Sequence, residues 1–561
     1  MLNKADELSL NKEQLKKLFI ERFTSGLNRF AVQKPSIWAE TYRVIKTQKW
    51  SFARYPWQKE MHDTDNPKNV GQKAAQMGFT ETLLNLTFYT LDVRAKDVLY
   101  VLPNKNPDAG DFSSSRLDPA REESKHINNL FTEVDNIGHK RAGIANLFIR
   151  GSNSRPGLKS IPVYFLAMDE VAEFVEENIP LAFERVSGQM EYLIWLISTP
   201  TAAGYGISKY YDDSDQKIFE FRCPACSKYI DLTFPDSLVI TAEDKNDPRI
   251  NDTHLICKQC KNKLPHETKQ EWLSTWRWVP QYANREWSGW SVSQLYSPTI
   301  KPKDLALAYF NGQEHLGYEQ EFYNSKLGLP HTPEGSRIND EDINNAILKG
   351  PKYRLADFHN NGHFNLITMG VDVGSDIHVE ISAWVPSGVD STDPHILLKP
   401  IVIQHTIVRN FTDLDRLMDD YRVVSCVIDA NPETREAINF ARRYYGRVRL
   451  CYFSRGVNAR FIAKDKIDME EPKFGANRSS WLDLALGRFK NGTIFLPVDT
   501  NLEYKNHLKE PLRIYKMDPD GNFNTVYITD KSRPDHYAFA RCYDEIALNF
   551  AVSSNSDSEE V

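Results

Sequence analysis

Apolar runs that lack helical periodicity recur along the chain, and three of them stop on an acidic residue. They occupy residues 163–168, 366–371 and 423–428, and the acids that end them are Asp169, Asp372 and Asp429. Runs of this kind predict strands that are covered on both faces, as in α/β domains. Such sheets bind ligands outside the carboxyl ends of their strands. We therefore expect the chemistry of the protein to lie on these acids.

The order of the runs predicts an α/β protein with several domains. A chain of 561 residues exceeds what one hydrophobic core usually supports. Strand-like runs alternate with helix-length segments, which is typical of parallel sheets with crossover helices. The predicted divisions are an amphipathic amino-terminal arm (1–45), a first α/β domain (46–220), a cysteine module (221–270), a connecting subdomain and linker (271–350), a second α/β domain (351–550) and a disordered acidic tail (551–561).

Composition and charge narrow the classes of protein that remain. A hydrophobic fraction of 41% without any apolar stretch of about 20 residues predicts no membrane span. The charged amino end is unlike a secretory signal, so we expect an intracellular, reducing compartment. A net charge of −7 argues against a surface that binds nucleic acid everywhere. A local DNA site is predicted at residues 435–466, where basic and aromatic residues alternate; the alternative is a solvated helix face with core aromatics.

A segment that begins at Lys73 has the length and ending of a phosphate-binding loop. The consensus is G-x-x-x-x-G-K-[ST]. Lys73 stands at its first glycine and Phe79 at its lysine, whereas Gly78 and Thr80 keep their usual places. An ammonium at either end of the loop can reach the phosphates as a point charge, and Thr80 would coordinate magnesium. A chance match or a structural turn is the alternative.

Residues downstream fit a nucleotide site. Asp169 would hold the magnesium shell and Glu170 would orient the attacking water; an acidic pair exposed at a strand end is the alternative. A further strand runs into Ser198 and Thr199 beside the expected phosphate. Upstream, the amide of Gln58 could contact adenine.

Four of the seven cysteines form two Cys-x-x-Cys pairs, Cys223 with Cys226 and Cys257 with Cys260. Four thiolates from two such turns can surround one Zn²⁺ tetrahedrally. With no ligand position left open, the expected site is structural. Cys426, Cys451 and Cys542 occur singly and are expected to be buried thiols.

The remaining acids predict a second metal site. The strand that ends near Asp372 is followed by another, like the opening hairpin of an RNase H-like nuclease. Asp372, Asp429 and a third acid, Asp535, could hold two divalent ions for phosphodiester cleavage. Each aspartate alone is more often structural. Asp376, His536 and Asp544 are alternatives for the third ligand.

The chain resembles the large subunit of a tailed-phage terminase of the lambda-type (GpA-like) family over about residues 38–550. The most family-like stretches are residues 198–217 leading into Cys223, residues 287–297 and residues 323–329. The resemblance implies a P-loop (ASCE-type) ATPase domain with a zinc-ribbon-like insertion, followed by an RNase H-like nuclease domain. It also implies roles for the residues predicted above. These are ATP hydrolysis at Lys73, Gly78, Thr80, Asp169 and Glu170, coupling through Ser198 and Thr199, and Mg²⁺- or Mn²⁺-dependent cleavage at Asp372, Asp429 and Asp535.

Two residues depart from the family pattern. Many members have lysine where this chain has Phe79, and the carboxyl-terminal motif usually has an acid where this chain has Phe539. Such motors also use an arginine at the γ-phosphate. Arg150, Arg155 and Arg185 are the candidates.

The resemblance implies an ATP-driven packaging motor and endonuclease that acts on double-stranded DNA in the host cytoplasm. The implied partners are a small terminase subunit and the portal of a procapsid, on which the chain would form a homo-oligomeric ring. One alternative is a helicase-like translocase without nuclease activity. Another is a catalytically dead assembly adaptor in which Phe79 marks an inactive ATP site.

Overall fold

The computed structural model describes residues 34–159, 161–358, 364–453, 472–518, 520–530 and 533–556, together with Lys16. The chain divides into two compact units, Met1–Thr332 and Pro333–Val561. Most of the predicted arm and the end of the predicted tail lie outside the described residues. None of the helices within the described ranges has the length and hydropathy needed to cross a bilayer.

The first unit contains sixteen strands and eleven α-helices among its described residues. The strands are β1 (Val44–Ile45), β2 (Gln48–Lys49), β3 (Lys68–Lys73), β4 (Val98–Leu102), β5 (Phe131–Asn136), β6 (His139–Ala142), β7 (Ala145–Gly151), β8 (Phe165–Asp169), β9 (Leu193–Ser198), β10 (Ile218–Arg222), β11 (Tyr229–Ile230), β12 (Leu238–Val239), β13 (His254–Ile256), β14 (Lys263–Leu264), β15 (Arg277–Val279) and β16 (Ser288–Val292). The helices are α1 (Pro35–Tyr42), α2 (Gln58–Asp63), α3 (Phe79–Tyr89), α4 (Gly110–Phe112), α5 (Asp118–Glu122), α6 (Lys125–Asn128), α7 (Ile179–Phe183), α8 (Ile207–Asp212), α9 (Lys269–Leu273), α10 (Pro302–Glu314) and α11 (Leu316–Glu321).

The main sheet of this unit has the order β16-β3-β9-β8-β4-β7-β6-β5. The six strands from β16 to β7 run parallel, and β6 and β5 extend the sheet antiparallel. Strand β9 therefore lies between β3, which leads into the predicted loop, and β8, which ends at Asp169. One added strand between the loop strand and the acid strand defines the ASCE-type P-loop fold, so the predicted fold class is confirmed.

The apolar runs form the central strands because every residue of β4 and β8 is buried. Their aliphatic side chains pack on helices at both faces of the sheet, as the absence of alternation predicted. The apolar core on one face also contains Cys223 and Cys257.

The cysteines lie on two small sheets with the orders β11-β10-β15 and β12-β13-β14. These strands are short and antiparallel. They share the core of the first unit through residues such as Phe221 and Leu255. The predicted boundary at residue 220 therefore does not separate two cores.

The structure corrects the predicted connecting subdomain (271–350). Strand β16 lies within it, yet it pairs in parallel with β3 at the edge of the main sheet. Helix α12 (Asp340–Leu348) belongs instead to the second unit. Sequence alone did not reveal this because a short strand distant along the chain resembles a loop segment.

The second unit is built around a six-stranded mixed sheet. The strands described in this unit are β17 (Ile367–Val373), β18 (Ile377–Pro386), β19 (Leu398–Val408), β20 (Ser425–Asp429), β21 (Val448–Phe453), β22 (Lys473–Ala476), β23 (Leu512–Met517) and β24 (Phe523–Ile528). The first six of them form the sheet. Its further helices are α13 (Pro394–Leu397), α14 (Phe411–Asp420), α15 (Thr434–Arg443), α16 (Arg478–Lys490), α17 (Leu502–Lys509) and α18 (His536–Ser556). Across both units, 3-10 or π turns lie at Thr90–Arg94, Lys105–Ala109, Ser113–Leu117, Pro156–Leu158, Val171–Glu173, Glu176–Asn178, Pro248–Asp252, Gln294–Tyr296, Phe322–Leu327 and Leu355–Phe358.

The sheet order is β19-β18-β17-β20-β21-β22, and β23 and β24 form a separate hairpin. Strands β17, β18 and β19 are antiparallel, whereas β20, β21 and β22 follow β17 in parallel. This combination is the RNase H-like fold that was predicted. The ends of β17 and β20 bring Asp372 and Asp429 to the same edge.

Helix α18 crosses strand β17 at Gly370, where the backbones come into close contact. A Cβ atom on Gly370 would lie 2.0 Å from the carbonyl oxygen of Ala540. The contact is reinforced by Arg541, which is fully buried and pairs with Glu380 at 2.6 Å and Asp544 at 2.8 Å. The glycine therefore allows the start of α18, and Asp535 before it, to approach the strand that carries Asp372.

Replacing Gly370 with alanine should destabilise the protein, because the added Cβ meets backbone that cannot move aside. Overpacking of this kind costs about 1–3 kcal/mol. Gly487→Ala in helix α16 is the control, since a Cβ there has no neighbour within 4 Å. Chemical denaturation followed by circular dichroism should show a lower midpoint for Gly370→Ala only. Equal midpoints for wild type and Gly370→Ala would contradict the close approach.

Candidate functional site

The predicted phosphate loop lies between the end of β3 at Lys73 and the start of α3 at Phe79. Gly78 has a φ of +82°, which disfavours residues with a side chain. A Cβ atom there would also lie 2.0 Å from Nε2 of Gln58. The amides of the first helical turn have no acceptor within the helix and face the loop. The loop therefore has the backbone form of an anion site.

Neighbouring segments form hydrogen bonds with the backbone of the loop. The backbone amide of Ala74 donates to the carbonyl of Val292, and the amide of Ala75 donates to the carbonyl of Ser325. The indole of Trp57 donates to the carbonyl of Met77 at 3.0 Å. Strand β16, the edge strand that the sequence did not predict, thus fixes the loop at its beginning.

The structure explains why the loop can have phenylalanine at the usual lysine position. The Phe79 ring is 1% exposed and packs against β3, where a Cβ on Gly71 would lie 2.7 Å from it. Its side chain therefore points into the core. Lys73 supplies the ammonium at the other end of the loop, and its Nζ lies 3.0 Å from Oε1 of Glu170.

Asp169 ends strand β8 in a buried position. Its Oδ2 accepts a hydrogen bond of 2.9 Å from the hydroxyl of Tyr100, and its Oδ1 is buried without a well-formed hydrogen bond. Burial, and secondly the charge of Glu170, raise the pKa of Asp169; Lys73 and the Thr80 hydroxyl act in the opposite direction. An unsatisfied carboxylate oxygen close to a threonine hydroxyl fits a hydrated magnesium ion. Sequence reasoning missed Tyr100, which resembled an ordinary core residue of β4.

Glu170 and Ser198 come together at the ends of neighbouring strands. Glu170 has a φ of +60°, and its Oε2 accepts a hydrogen bond of 3.4 Å from Ser198. The Ser198 hydroxyl also accepts from the backbone amide of Ala172 at 3.2 Å. Thr199 follows in a partly buried position. The predicted coupling strand therefore contacts the predicted catalytic glutamate directly.

Gln58 has a different contact from the one expected. Its side chain is 1% exposed, and its Nε2 donates to the carbonyl of Gly78 at 2.7 Å. The amide braces the loop in this state. An adenine contact stays a prediction and would require Gln58 to leave this bond.

The three candidate arginines differ in their positions relative to the main sheet. The carbonyl of Arg185 accepts from the amide of Val163, just before β8 begins, so this residue lies opposite the loop. Arg150 lies within β7, and its guanidinium donates to the carbonyl of Ile149 at 2.9 Å. Arg155 is exposed on the turn that follows β7, at the edge where Asp169 lies.

The second unit brings Asp372 and His536 into contact. Nδ1 of His536 lies 2.8 Å from Oδ2 of Asp372. Burial is the largest cause that raises the pKa of Asp372, and burial followed by the charge of Asp372 raises the pKa of Asp535. Burial and then the charge of Asp372 raise the pKa of Asp429 to about 6. Asp429 and Asp535 therefore each lie close enough to Asp372 to interact with it electrostatically.

The alternatives for the third ligand are not equivalent in the structure. Asp544 is fully buried and pairs with Arg541, so its role in this structure is to neutralise a buried charge. Asp376 is exposed, whereas Asp535 is partly buried before α18. The ring of Phe539, at the position where the family has an acid, lies 4.9 Å from the guanidinium of Arg478. Within the described residues, Asp372, Asp429 and Asp535 do not form a set with ligand atoms all within 4.8 Å.

The four paired cysteines converge as predicted. Their four Sγ atoms all lie within 4.8 Å of one another, and the Sγ atoms of Cys223 and Cys260 are 3.8 Å apart. Each pair forms a matching turn, in which the amide of Ser227 donates to the carbonyl of Cys223 and the amide of Lys261 to that of Cys257. The donor set and the two turns fit one zinc ion. Cys426, Cys451 and Cys542 are buried thiols, as expected.

The predicted DNA segment at 435–466 lies only partly within the described residues. Two of its arginines in that part contact neighbours: Arg443 pairs with Asp415 at 3.0 Å, and Arg449 lies 4.1 Å from the ring of Phe550. Phe440 is buried in the core. The described part therefore favours the structural alternative.

The fold and the loop define the first unit as a P-loop ATPase of the ASCE type. Residues 45–278 match the family model described as "Phage terminase large subunit gpA, ATPase domain". This part of the chain is similar to that family, and the predicted resemblance to phage terminase large subunits is confirmed. No curated protein sequence matches the chain.

Solved structures similar to this chain are also phage terminases. The large terminase of bacteriophage HK97 is 10% identical, covers 92% of this chain and 99% of its own, and has a TM-score of 0.47. The large terminase of the thermophilic bacteriophage D6E in complex with ADP is 10% identical, with coverages of 88% and 98% and a TM-score of 0.31. The large terminase nuclease of thermophilic phage G20c is 11% identical, with coverages of 36% and 94% and a TM-score of 0.21.

The raised pKa of Asp429 predicts a pH-dependent stability in the metal-free chain. An acid with a higher pKa in the folded state stabilises the fold when protonated, and this contribution is lost as the pH rises from about 4 to about 6. The unfolding free energy of wild type minus that of Asp429→Asn should therefore fall by about 1–3 kcal/mol between these pH values. Asp390→Asn, at an exposed position of the same unit, controls for loss of a charge. A difference that does not vary with pH would contradict the assignment.

Proposed function

We propose that the chain is the large subunit of a viral DNA-packaging terminase. It uses ATP to move double-stranded DNA into a procapsid and cuts concatemeric genome DNA. The observation that carries this proposal is the arrangement of Lys73, Glu170 and Asp169 around the loop of a domain that matches the terminase ATPase family model. The RNase H-like fold of the second unit supports the cutting activity.

In the ATPase unit, the loop amides and Lys73 bind the triphosphate, and Thr80 and Asp169 hold its magnesium ion. That ion screens the phosphate charge when it is bound. Glu170 orients the attacking water and receives its proton. Lys73 leaves its 3.0 Å contact with Glu170 to reach the phosphates. This exchange frees the carboxylate only when nucleotide is present.

Ser198 couples the nucleotide to the rest of the domain. Its hydroxyl contacts Glu170 and the amide of Ala172, so a change at Glu170 alters the end of β9 and the turn after β8. Thr199 continues this connection. Arg155 is the best-placed candidate for the γ-phosphate, because it is exposed at the correct edge of the sheet. Its exposure also suits donation to a neighbouring subunit of a ring.

In the second unit, Asp372, Asp429 and Asp535 hold divalent ions. Mg²⁺ or Mn²⁺ bound there supplies Lewis acidity for hydrolysis of a phosphodiester. His536 hydrogen-bonds Asp372 and orients its carboxylate. Four cysteines in the first unit hold a structural zinc ion, which stabilises the small sheets around it.

The partners follow from this function. They are double-stranded DNA, a small terminase subunit that delivers the genome, and the portal of the procapsid. A homo-oligomeric ring on the portal would act in the host cytoplasm. The net charge of −7 fits local DNA contacts rather than binding over the whole surface.

Lys73→Ala should abolish ATP hydrolysis, because no other side chain of the loop supplies an ammonium. We expect at least a hundredfold lower rate of phosphate release, or about 2.7 kcal/mol at the barrier. Lys96→Ala, at an exposed position of the same unit, is the control and should keep the wild-type rate. Rapid hydrolysis by Lys73→Ala would overturn the role of the displaced lysine. Absence of DNA-stimulated hydrolysis in wild type would favour the assembly adaptor.

Asp372→Asn and Asp429→Asn should each lose Mn²⁺-dependent cutting of plasmid DNA, because each removes a charged oxygen ligand. Asp390→Asn is the matched control. The ATPase rate of all three variants should remain that of wild type, which separates loss of the site from unfolding. Cutting that persists in Asp372→Asn would remove the nuclease assignment and favour a translocase without nuclease activity.

A further inference from the structure

A second group of metal-binding side chains lies in the second unit, next to Asp372. His378 on β18 pairs directly across from Asp372 on β17. Helix α17 presents Glu503 and His507 one turn apart on the same face. One ligand atom from each of His378, Glu503 and His507 lies within 4.8 Å of the other two. Neither the sequence motifs nor the proposed nuclease function uses these three residues.

His378 also has a buried atom that needs a partner. The residue is 4% exposed, and its Nδ1 is buried without a well-formed hydrogen bond. Leaving a buried polar atom unsatisfied costs about 1–3 kcal/mol, and native proteins usually satisfy such an atom with water or an ion. The nearby ring of His507 is also buried, and the amide of Tyr537 is 3.5 Å from its Nδ1. A contact this long does not fix the tautomer of the ring.

We propose that His378, Glu503 and His507 bind one transition-metal ion, with Zn²⁺ as the best match. Two imidazoles and one carboxylate are a zinc-type donor set, whereas Mg²⁺ prefers oxygen ligands alone. Glu503 is exposed and the two histidines are buried, so the ion would lie at the rim of the unit with a position open to water. The helical spacing of Glu503 and His507 allows both to bind without distortion of α17.

The bound ion would border the acid site without sharing a ligand with it. The His378 ring stacks on that of His536 with centroids 4.5 Å apart, and His536 hydrogen-bonds Asp372. Fixing His378 therefore restricts His536 and, through it, the Asp372 carboxylate. The metal site is a positioning device in this arrangement. It does not depend on the proposed cutting activity.

Metal content of the full-length chain tests the proposal. The protein is stripped with a chelator, reloaded with Co²⁺ in the absence of Mg²⁺, and examined by elemental analysis and absorption spectroscopy. Thiolate ligands give an intense charge-transfer band, whereas imidazole and carboxylate ligands give only visible d–d bands. In an Asp372→Asn background, which removes the acid site, the chain should bind two ions, one of each spectral type. Adding Glu503→Gln or His507→Ala to this background should remove the ion without thiolate ligands and keep the other.

Two controls separate this site from its neighbours. His405→Ala removes an equally buried histidine that stacks on Tyr504 at 4.4 Å, and it should keep both ions. The chain with Asp372 intact should also bind both ions, together with any ion that Asp372, Asp429 and Asp535 hold. The proposal is wrong if Asp372→Asn shows no ion without thiolate ligands, or if that ion remains when Glu503→Gln or His507→Ala is added to Asp372→Asn. Loss of only the thiolate signal would instead count against the cysteine site.

Discussion

Strands that are buried on both faces can carry an unpaired charged side chain only where they end, and both units of this protein depend on that constraint. Water and polar partners reach a carboxylate at the edge of the sheet, whereas an unpaired charge within the sheet would cost several kcal/mol. Asp169 lies at the end of β8, Asp429 ends β20 and Asp372 is one residue from the end of β17. Because neighbouring parallel strands end at the same edge of a sheet, the functional side chains of each sheet lie together at that edge.

The phosphate loop shows how a displaced charge can keep the same backbone form. Phe79 has become part of the core under the loop, and the small Gly71 on β3 makes room for its ring. The positive charge enters instead from Lys73, the last residue of the loop strand. The left-handed Gly78 and the first helical turn stay where an anion would need them. A residue exchange that resembles loss of function in the consensus therefore has a structural counterpart within the same loop.

The fold and much of the candidate site could be predicted because they depend on local patterns. Continuous apolar runs identify β8, β17 and β20, and the Cys-x-x-Cys spacing identifies the four sulfurs that converge. The contacts that could not be predicted join residues distant along the chain. Strand β16 pairs with β3 across more than 200 residues, Tyr100 satisfies Asp169 from a neighbouring strand, and the close approach at Gly370 depends on a helix 170 residues later. The cluster of His378, Glu503 and His507 could not be predicted for the same reason. Nor could the pairing of Asp544 with Arg541, which accounts for Asp544 without a metal ion.

The most direct measurement is an anomalous diffraction experiment on crystals of the full chain grown with a non-hydrolysable ATP analogue and Mn²⁺. We expect one manganese peak beside Asp169 and Thr80, with Lys73 moved from Glu170 to the phosphates, and separate manganese density between Asp372 and Asp429. Triphosphate bound away from the loop while Lys73 remains paired with Glu170 would contradict the assignment of the nucleotide site. Absence of manganese at Asp372 and Asp429 would contradict the two-site arrangement.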